Sequence, residues 1–221
     1  MSQQIIVIGL GQFGMTLAHT LSERGAEVLA IDPKRDLIEE ASAFVTEAMV
    51  MDATDENDLA RLRPEKRDAA VCAIGDDSRE ASIICTALLR QMGCPFIVAR
   101  ASDKVHQRIL KLVGAHQVIN PEMEFGKRFA NRLLYREIIV GTTLGDDLHL
   151  SEMNVQTGMV GKTLVELSLP RRFGIMVAGI RKKSTRKVIQ PAPDLPLEAD
   201  DNLIIVSSDA DISRLIKGVQ S

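Results

Sequence analysis

The sequence predicts an α/β protein: a Rossmann-like doubly wound parallel sheet followed by a small α+β C-terminal domain. Over the first 120 residues, short apolar runs alternate with longer helical patterns, which is typical of parallel strands joined by crossover helices. A glycine motif follows the first apolar run at once, and beyond Asn120-Pro121 the pattern changes to short strands and Gly- or Pro-marked turns. We therefore expect a nucleotide-binding domain over 1–120, a crossover helix over 121–136 and a C-terminal domain over 137–221.

The first domain contains six candidate strands separated by helical segments. The strands are predicted at Ile5–Gly9, Val28–Ile31, Glu47–Met51, Ala69–Ile74, Phe96–Ala101 and Gln117–Ile119. The first helix carries Phe13, Leu17 and Leu21 on one face and stops at Gly25. Further helices are predicted at Leu37–Phe44, from an N-cap at Thr54 or Asp55 to Leu62, at Ser78–Met92, and at 103–113 between a Ser102 cap and Gly114.

The second half of the chain has shorter elements. Residues 122–136 are predicted to be helical, with Phe125, Phe129 and Leu133 on one stripe. Strands are expected at Ile138–Val140, Leu148–Met153, Gly174–Ile180, Val188–Ile189 and Leu203–Val206, and helices at Val160–Leu167 and Ala210–Ile216.

Composition excludes several classes of protein. With 221 residues, 45% hydrophobic and 26% charged, the chain is neither disordered nor a disulfide scaffold. A net charge of −3 and 3% aromatic residues argue against nucleic acid as the partner. No apolar run reaches the roughly 18–20 residues of a membrane span. Three cysteines without paired spacing indicate buried thiols in a cytosolic protein.

The glycine motif is the strongest functional signal. Gly9-Leu-Gly11-Gln-Phe-Gly14 lies directly after a strand and opens a helix, whose free amides and partial positive charge suit a phosphate. Asp32 ends the next strand 18 residues later, where a carboxylate can accept hydrogen bonds from both ribose hydroxyls and would repel a 2′-phosphate. Together these residues favour a nucleotide other than NADP over glycines that serve packing alone.

Three further strand ends converge on the same edge of the predicted sheet. Asp52 ends the third strand, where it is either an adenine neighbour or a helix cap. Gly75 ends the fourth strand beside the ribose, and the adjacent Asp76 and Asp77 are as readily helix caps. Arg100 ends the fifth strand, where it suits a phosphate or forms a surface ion pair.

A catalytic apparatus is not evident in the sequence. A dehydrogenase needs a proton donor or acceptor near the hydride position. None of the four histidines has a carboxylate at a sequence spacing that would indicate a catalytic pair. The sequence also lacks GxSxG, HExxH and P-loop motifs. We therefore expect a nucleotide sensor that is not an enzyme, with an NAD-dependent oxidoreductase as the alternative.

A basic run in the second domain has two interpretations. Arg181–Lys187 contains five basic residues in seven and lies between two candidate strands. A solvated hairpin tip is the simpler interpretation, and contact with acidic lipid or the cytosolic face of a membrane protein is the alternative.

Taken together, the motifs resemble the regulatory subunits of Trk/Ktr potassium transporters, which carry the RCK fold (regulator of potassium conductance). The resemblance covers the whole chain. It rests on the glycine motif, Asp32, Met-Asp52-Ala-Thr, Ala-Ile-Gly75, Arg100 and Ile119-Asn-Pro-Glu122, and in the second domain on Leu169–Gly174 and Pro191–Asp194, followed by Asp200–Leu203.

This resemblance implies a cytoplasmic protein at the inner face of the membrane that gates a K⁺-translocating subunit of the TrkH or KtrB type. Dimers that pair through the crossover helix would assemble into an octameric ring, whose shape responds to ATP or ADP, or to NAD(H) or AMP. The residues implied to contact the nucleotide are Gly9, Gly11, Gln12, Phe13, Gly14, Asp32, Asp52, Ala53, Thr54, Gly75 and Arg100. Glu122 is implied to help bind Mg²⁺ or another cation near the phosphates.

Two positions depart from the family pattern. Several ATP-responsive members have Arg after the second glycine, whereas this chain has Gln12, which weakens discrimination for a triphosphate. Some members also bind cyclic di-AMP between C-terminal domains through an Arg where this chain has Pro170. Arg171 and Arg172 follow it as candidate substitutes.

Overall fold

A computed structural model describes residues 2–75, 78–134, 138–144 and 148–219. The chain divides into two compact units, Met1–Glu124 and Phe125–Ser221. The first unit holds six parallel strands in the order β3-β2-β1-β4-β5-β6, so the predicted doubly wound sheet is confirmed. The order reverses between β1 and β4, and in such sheets a ligand crevice forms at this point, outside the carboxyl ends of the strands.

The elements of the first unit follow the predicted order. The strands are β1 (Gln4–Ile8), β2 (Glu27–Asp32), β3 (Glu47–Val50), β4 (Ala69–Cys72), β5 (Ile97–Arg100) and β6 (Gln117–Ile119). The helices are α1 (Gln12–Glu23), α2 (Arg35–Ala41), α3 (Glu56–Arg61), α4 (Arg79–Gln91) and α5 (Lys104–Val113), and α6 (Pro121–Leu134) begins in this unit and ends in the second.

Two apolar clusters fill the space between this sheet and its helices. One contains Ile6, Ile8 and Ile31, and the other contains Val7, Val28 and Ala30. Successive residues of a strand point to opposite faces, so both faces of the sheet are apolar and buried. Cys72, Cys85 and Cys94 are buried free thiols, as predicted.

One predicted cap is wrong. The side chain that caps α5 is Asp103, whose carboxylate accepts a hydrogen bond from the backbone N–H of His106 at 2.8 Å. Ser102 lies one residue before the cap, and its hydroxyl contacts Nδ1 of His106 at 3.3 Å. Gly114 ends the helix in the left-handed conformation, with φ of 117°, as expected.

The second unit is built on a five-stranded sheet in the order β10-β9-β11-β8-β7, and the neighbouring strands are antiparallel. Its strands are β7 (Ile138–Thr143), β8 (His149–Asn154), β9 (Met176–Arg181), β10 (Val188–Ile189) and β11 (Asn202–Ser207). Its helices are α7 (Leu164–Leu167), α8 (Leu169–Phe173) and α9 (Asp209–Val219).

The helix predicted at Val160–Leu167 is too long by four residues. Gly161 has a φ of 77°, which interrupts a helix at this point. The helix begins only after Thr163, which forms a capping box with Glu166. The sequence pattern also missed α8, a short helix that Gly174 ends at a φ of 77° and that delays the start of β9 to Met176.

The basic run lies in the hairpin between β9 and β10, as the simpler interpretation predicts. Its first three cations pair with carboxylates of the same unit. Arg181 contacts Glu152 at 2.7 Å, Lys182 contacts Asp201 at 2.7 Å, and Lys183 contacts Asp200 at 3.0 Å. Much of the positive charge of the run is therefore balanced locally.

None of the helices in the described ranges combines the length and apolar character that crossing a bilayer requires. The predicted helix caps Asp76 and Asp77 lie outside the described residues, as do the last two residues of the helix predicted at 122–136.

Candidate functional site

A crevice of about 260 Å³ lies at the carboxyl ends of the parallel strands in the first unit. Its walls come from the carboxyl ends of β1, β2 and β5, from the segments that follow β1, β2, β3 and β4, and from α2 and α4. The lining residues are Ile8, Gly9, Gly11, Ile31, Asp32, Pro33, Lys34, Leu37, Met51, Asp52, Ala53, Thr54, Ala73, Ile74, Gly75, Ser78, Ala81 and Arg100. An apolar lining with a few polar groups is usual for a small-molecule site.

The three glycines of the motif have three different surroundings. Gly9 has a φ of 90°, and a Cβ there would lie 3.0 Å from the backbone nitrogen of Ile74. A Cβ on Gly14 would lie 1.8 Å from the carbonyl oxygen of Gly9, so this position admits no side chain. Gly11 caps α1, and a Cβ on it would meet no atom within 4 Å. The space above Gly11 is open to a ligand at the N-terminus of α1.

Asp32 ends β2 and is only 7% exposed. Its Oδ2 accepts a hydrogen bond from the backbone N–H of Leu10 at 2.7 Å, and its Oδ1 accepts one from the N–H of Lys34 at 2.9 Å. The carboxylate therefore fixes the glycine loop to the end of β2. Each oxygen has a second lone pair, so two further donors such as ribose hydroxyls can still be accepted.

Asp52 forms a turn at the end of β3. Its Oδ1 accepts hydrogen bonds from the backbone N–H of Thr54 at 2.9 Å and from the Thr54 hydroxyl at 2.8 Å, and these bonds hold the pKa of Asp52 below its usual value. The cap of α3 is Asp55, which accepts from the N–H groups of Asn57 and Asp58. Asp52 therefore does not cap α3, which was one of the two roles that the sequence allowed for it. The residue lines the crevice.

Arg100 forms the opposite wall. Its Nη2 contacts Oε1 of Glu122 at 2.5 Å, and its side chain is 18% exposed. Its buried Nε has no hydrogen-bond partner among the described residues. Gly75 lies next to it, since a Cβ on Gly75 would come 3.4 Å from Arg100 Nη1. The ion pair foreseen as one alternative for Arg100 is therefore present, and the same side chain also lines the crevice.

The structure gathers most of the predicted site residues at one place. Eight of them line the crevice: Gly9, Gly11, Asp32, Asp52, Ala53, Thr54, Gly75 and Arg100. The lining does not include four others. Gln12 is exposed at the start of α1, Phe13 packs on the apolar core, Gly14 lies against Gly9, and Glu122 touches the site through Arg100.

Sequence reasoning missed Lys34 and Ser78, which also line the crevice. Lys34 could have been found from its position, because it follows Asp32-Pro33 at the carboxyl end of a strand. Ser78 precedes α4 without capping it through its side chain, and no sequence pattern separates it from an ordinary cap.

These features fit a nucleotide. The open space above Gly11 admits a phosphate at a helix N-terminus, and Arg100 offers a cation whose Nε lacks a partner in the described part of the chain. No cluster of three or more His, Cys, Asp or Glu suited to a metal ion occurs among the described residues. Within those residues, Glu122 does not belong to such a cluster.

Comparison with protein families gives two matches along the chain. Residues 5–121 match the TrkA-N domain, and residues 149–218 match the TrkA-C domain. The first match ends at the beginning of α6 and contains the entire crevice.

Known proteins similar to this chain include two potassium uptake proteins. Ktr system potassium uptake protein A of Vibrio alginolyticus is 33% identical over 98% of each chain. Ktr system potassium uptake protein C of Bacillus subtilis is 31% identical over 99% of this chain and 98% of its own length. Among solved structures, the GsuK RCK domain matches with a TM-score of 0.65 and 20% identity over 100% of this chain. This chain spans 48% of that one.

Proposed function

The chain belongs to the family of proteins that combine a TrkA-N domain with a TrkA-C domain, and we propose that it is a nucleotide-sensing regulatory subunit of a K⁺ uptake system. The observation that carries this proposal is the crevice, in which an open glycine loop, a buried carboxylate and a partly buried arginine face one another. Similarity to two Ktr potassium uptake proteins over nearly the whole chain supports the transport context.

The proposed ligand is an adenine nucleotide, with ATP and ADP first and NAD(H) or AMP as alternatives. Its phosphates would lie at Gly11 and the N-terminus of α1, within reach of Arg100. Its ribose hydroxyls would donate to Asp32, and its base would lie beside Ala53 and Thr54, where Met51 and Leu37 supply apolar surface.

A cation is proposed to join the phosphates. Mg²⁺ usually keeps several waters and binds through one or two carboxylates together with substrate phosphates. Glu122 can supply such a carboxylate because its side chain is 60% exposed and lies beside Arg100. Cyclic di-AMP at the second unit remains a prediction that rests on Arg171 and Arg172, which lie in the last turn of α8.

The crevice supports binding better than catalysis. Its described lining contains neither histidine nor tyrosine, and Lys34 lies on the ribose side, directly after β2. Hydride transfer needs a proton donor or acceptor on the opposite, nicotinamide side. We therefore propose a sensor, and an NAD-dependent oxidoreductase stays the alternative that turnover of NAD(H) with a substrate would support.

Regulation follows from linkage. A nucleotide can shift the shape of an assembly only by the difference between its affinities for the two shapes. We propose that dimers form through α6, that four dimers make an octameric ring at the inner face of the membrane, and that the number of phosphates in the crevice sets the ring shape. The ring would gate a membrane-embedded K⁺-translocating subunit.

Calorimetric titration of the purified chain with ATP, ADP, AMP, NAD⁺ and NADH, with and without Mg²⁺, tests the proposal. We expect micromolar binding of ATP or ADP and a matching rise in melting temperature, since a ligand stabilises the state that binds it. Asp32→Asn should weaken binding at least tenfold, whereas Asp36→Asn, an exposed carboxylate in the first turn of α2, should not. Absence of binding by all five nucleotides would refute the proposal.

A second experiment tests the transport role. The chain and the membrane K⁺ subunit of its own organism are expressed together in a bacterium that lacks K⁺ uptake. We expect the chain to change the uptake rate and Asp32→Asn to abolish its response to the cellular ATP to ADP ratio. Uptake that is the same with and without the chain would contradict the regulatory role.

A further inference from the structure

The contact between Arg100 and Glu122 lies at the boundary between the crevice and α6. Arg100 is the last residue of β5, and Glu122 is the second residue of α6. Their side chains approach to 2.5 Å, although Glu122 is 60% exposed and has water available to it. The pair therefore ties the first turn of α6 to the wall of the crevice.

A second set of bonds holds the same helical turn. Asn120 Oδ1 accepts a hydrogen bond from the backbone N–H of Met123 at 2.8 Å, and Asn120 Nδ2 donates to the carbonyl oxygen of Ser102 at 3.1 Å. Ser102 follows β5 by two residues. The first turn of α6 is thus attached to the end of β5 through one ion pair and one bridging amide.

Arg100 cannot serve Glu122 and a ligand phosphate equally well. A guanidinium binds a phosphate or a carboxylate best when two of its N–H groups act together. Here Nη2 is engaged by Glu122, while the buried Nε has no partner within the described residues and Nη1 lies toward Gly75 in the crevice. A phosphate that enters beside Gly75 meets an arginine whose charge is already balanced.

We propose that Glu122 is a built-in competitor of the nucleotide phosphate for Arg100, and that its displacement releases the first turn of α6. This inference rests on the proposed function, because it needs an anionic ligand in the crevice. It differs from a role of Glu122 as a cation ligand, since only displacement of Glu122 from Arg100 predicts that ADP loosens the first turn of α6 when divalent cations are absent.

The test compares Glu122→Gln with Glu124→Gln, which removes the same charge from the same helical turn but leaves Arg100 paired. Calorimetry is performed with ADP and with adenosine in the presence of a chelator. We expect Glu122→Gln to bind ADP about two- to fivefold more tightly than the wild-type chain, a change of the size that partly exposed ion pairs produce. Adenosine, which has no phosphate, should bind all three proteins alike.

Hydrogen exchange measures the release of the helix. We expect ADP to reduce protection of the backbone amides of Met123 and Glu124 in the wild-type chain and to leave them unchanged in Glu122→Gln, where the ion pair is already absent. Melting temperatures of the two variants within a few degrees of each other would show that both are folded.

The possible failures are distinguishable. If the wild-type chain binds ADP but Glu122→Gln binds it equally or more weakly without divalent cations, the competitor role is wrong and the proposed nucleotide sensor stands. If ADP leaves the protection of Met123 and Glu124 unchanged in the wild-type chain, the release of α6 is wrong. If the wild-type chain binds no nucleotide, both proposals fail.

Discussion

Single residues of the glycine loop have separate physical roles, although the sequence motif treats them alike. Gly14 is required by packing, because a Cβ would overlap the carbonyl oxygen of Gly9 at 1.8 Å. Gly11 is not required by packing, because its Cβ would meet no atom within 4 Å and its φ of −61° is open to any residue. The lack of a side chain at Gly11 therefore indicates a position that keeps space for a ligand, and packing of the fold does not require it.

Two alanine substitutions separate these roles. We expect Gly14→Ala to destabilise the first unit by about 2 kcal/mol or more, since the backbone of the loop must move. Gly11→Ala should cost about 1 kcal/mol, because alanine is a poorer N-cap than glycine but no neighbouring atom has to move to admit its methyl group. It should nevertheless weaken nucleotide binding roughly tenfold or more, since its methyl group occupies the space for a phosphate. Thermal unfolding and calorimetric titration measure the two effects.

Two outcomes would contradict the separate roles of Gly11 and Gly14. Equal loss of stability in both variants would mean that Gly11 serves the fold as Gly14 does. Unchanged nucleotide affinity in Gly11→Ala would place the phosphates elsewhere in the crevice.

The sequence predicted where the site residues lie better than it predicted which groups their side chains contact. Asp32 was expected to hold a ribose, and it lies at the crevice, but its carboxylate also fixes the loop through Leu10. That bond joins residues 22 apart, and no local pattern encodes it. Lys34 was missed because no motif marks it, although its position after Asp32-Pro33 at the carboxyl end of a strand indicates the same edge of the sheet.

Elements with strong local signals were predicted well. Each of the six parallel strands ends in a polar residue or is followed within three residues by a polar residue or glycine. The helices between them repeat apolar residues at helical spacing, so both kinds of element were found from the sequence. The second unit has shorter elements whose order in the sheet depends on contacts between distant segments. Its strand order β10-β9-β11-β8-β7 was therefore not predicted, and Gly161 was overlooked within an otherwise helical pattern.

The central strands of the second unit are joined by a cluster of polar side chains. Glu152 on β8 accepts hydrogen bonds from Arg181 on β9, at 2.7 and 3.1 Å, and from Asn202 on β11 at 2.9 Å. The hydrogen bond from Arg181 holds the pKa of Glu152 below its ordinary value of 4.5. The folded chain therefore binds fewer protons than the unfolded chain at mildly acidic pH.

This shift predicts a pH dependence of stability. The contribution of Glu152 is complete above pH 4.5, the pKa of the unfolded chain, and it is lost as the pH falls through the lower folded pKa. We expect Glu152→Gln to lower the free energy of unfolding by about 1–2 kcal/mol at pH 7 and by less as the pH falls through the folded pKa of Glu152. Asp194→Asn, which removes an exposed carboxylate of the same unit, is the control.

Calorimetric unfolding at several pH values between 3 and 7 provides the measurement. A difference between Glu152→Gln and the wild-type chain that stays constant over this range would show that the charge of Glu152 does not matter. A loss in Asp194→Asn equal to that in Glu152→Gln would indicate an effect of net charge instead.

At the scale of the whole molecule, the exposed apolar face of α6 is a feature that a single copy of the chain does not explain. Phe125, Phe129 and Leu133 lie at helical spacing, as the sequence predicted, and they are 60%, 45% and 63% exposed. The two phenylalanine rings stack with centroids 5.7 Å apart. Neighbouring exposed apolar side chains of this kind are typical of a protein interface. It supports the proposed dimer through the crossover helix.

Substitution within this stripe tests whether a second copy covers it. A charged side chain buried at a twofold interface faces its own copy across the axis, so Phe129→Glu places two carboxylates in an apolar contact and should convert dimers into monomers. Lys127→Glu introduces the same side chain two residues away on another face of α6 and should leave the dimer intact.

Sedimentation equilibrium at micromolar concentration measures the mass of each variant, and the mass of one chain is 24.2 kDa. Because the crevice is formed by residues of one chain, monomeric Phe129→Glu should still bind ADP, whereas the proposed change in ring shape between ATP and ADP should disappear. A Phe129→Glu protein that sediments with the same mass as the wild-type chain would show that α6 is not the dimer contact, and the coupling of the crevice to the assembly would then need another path.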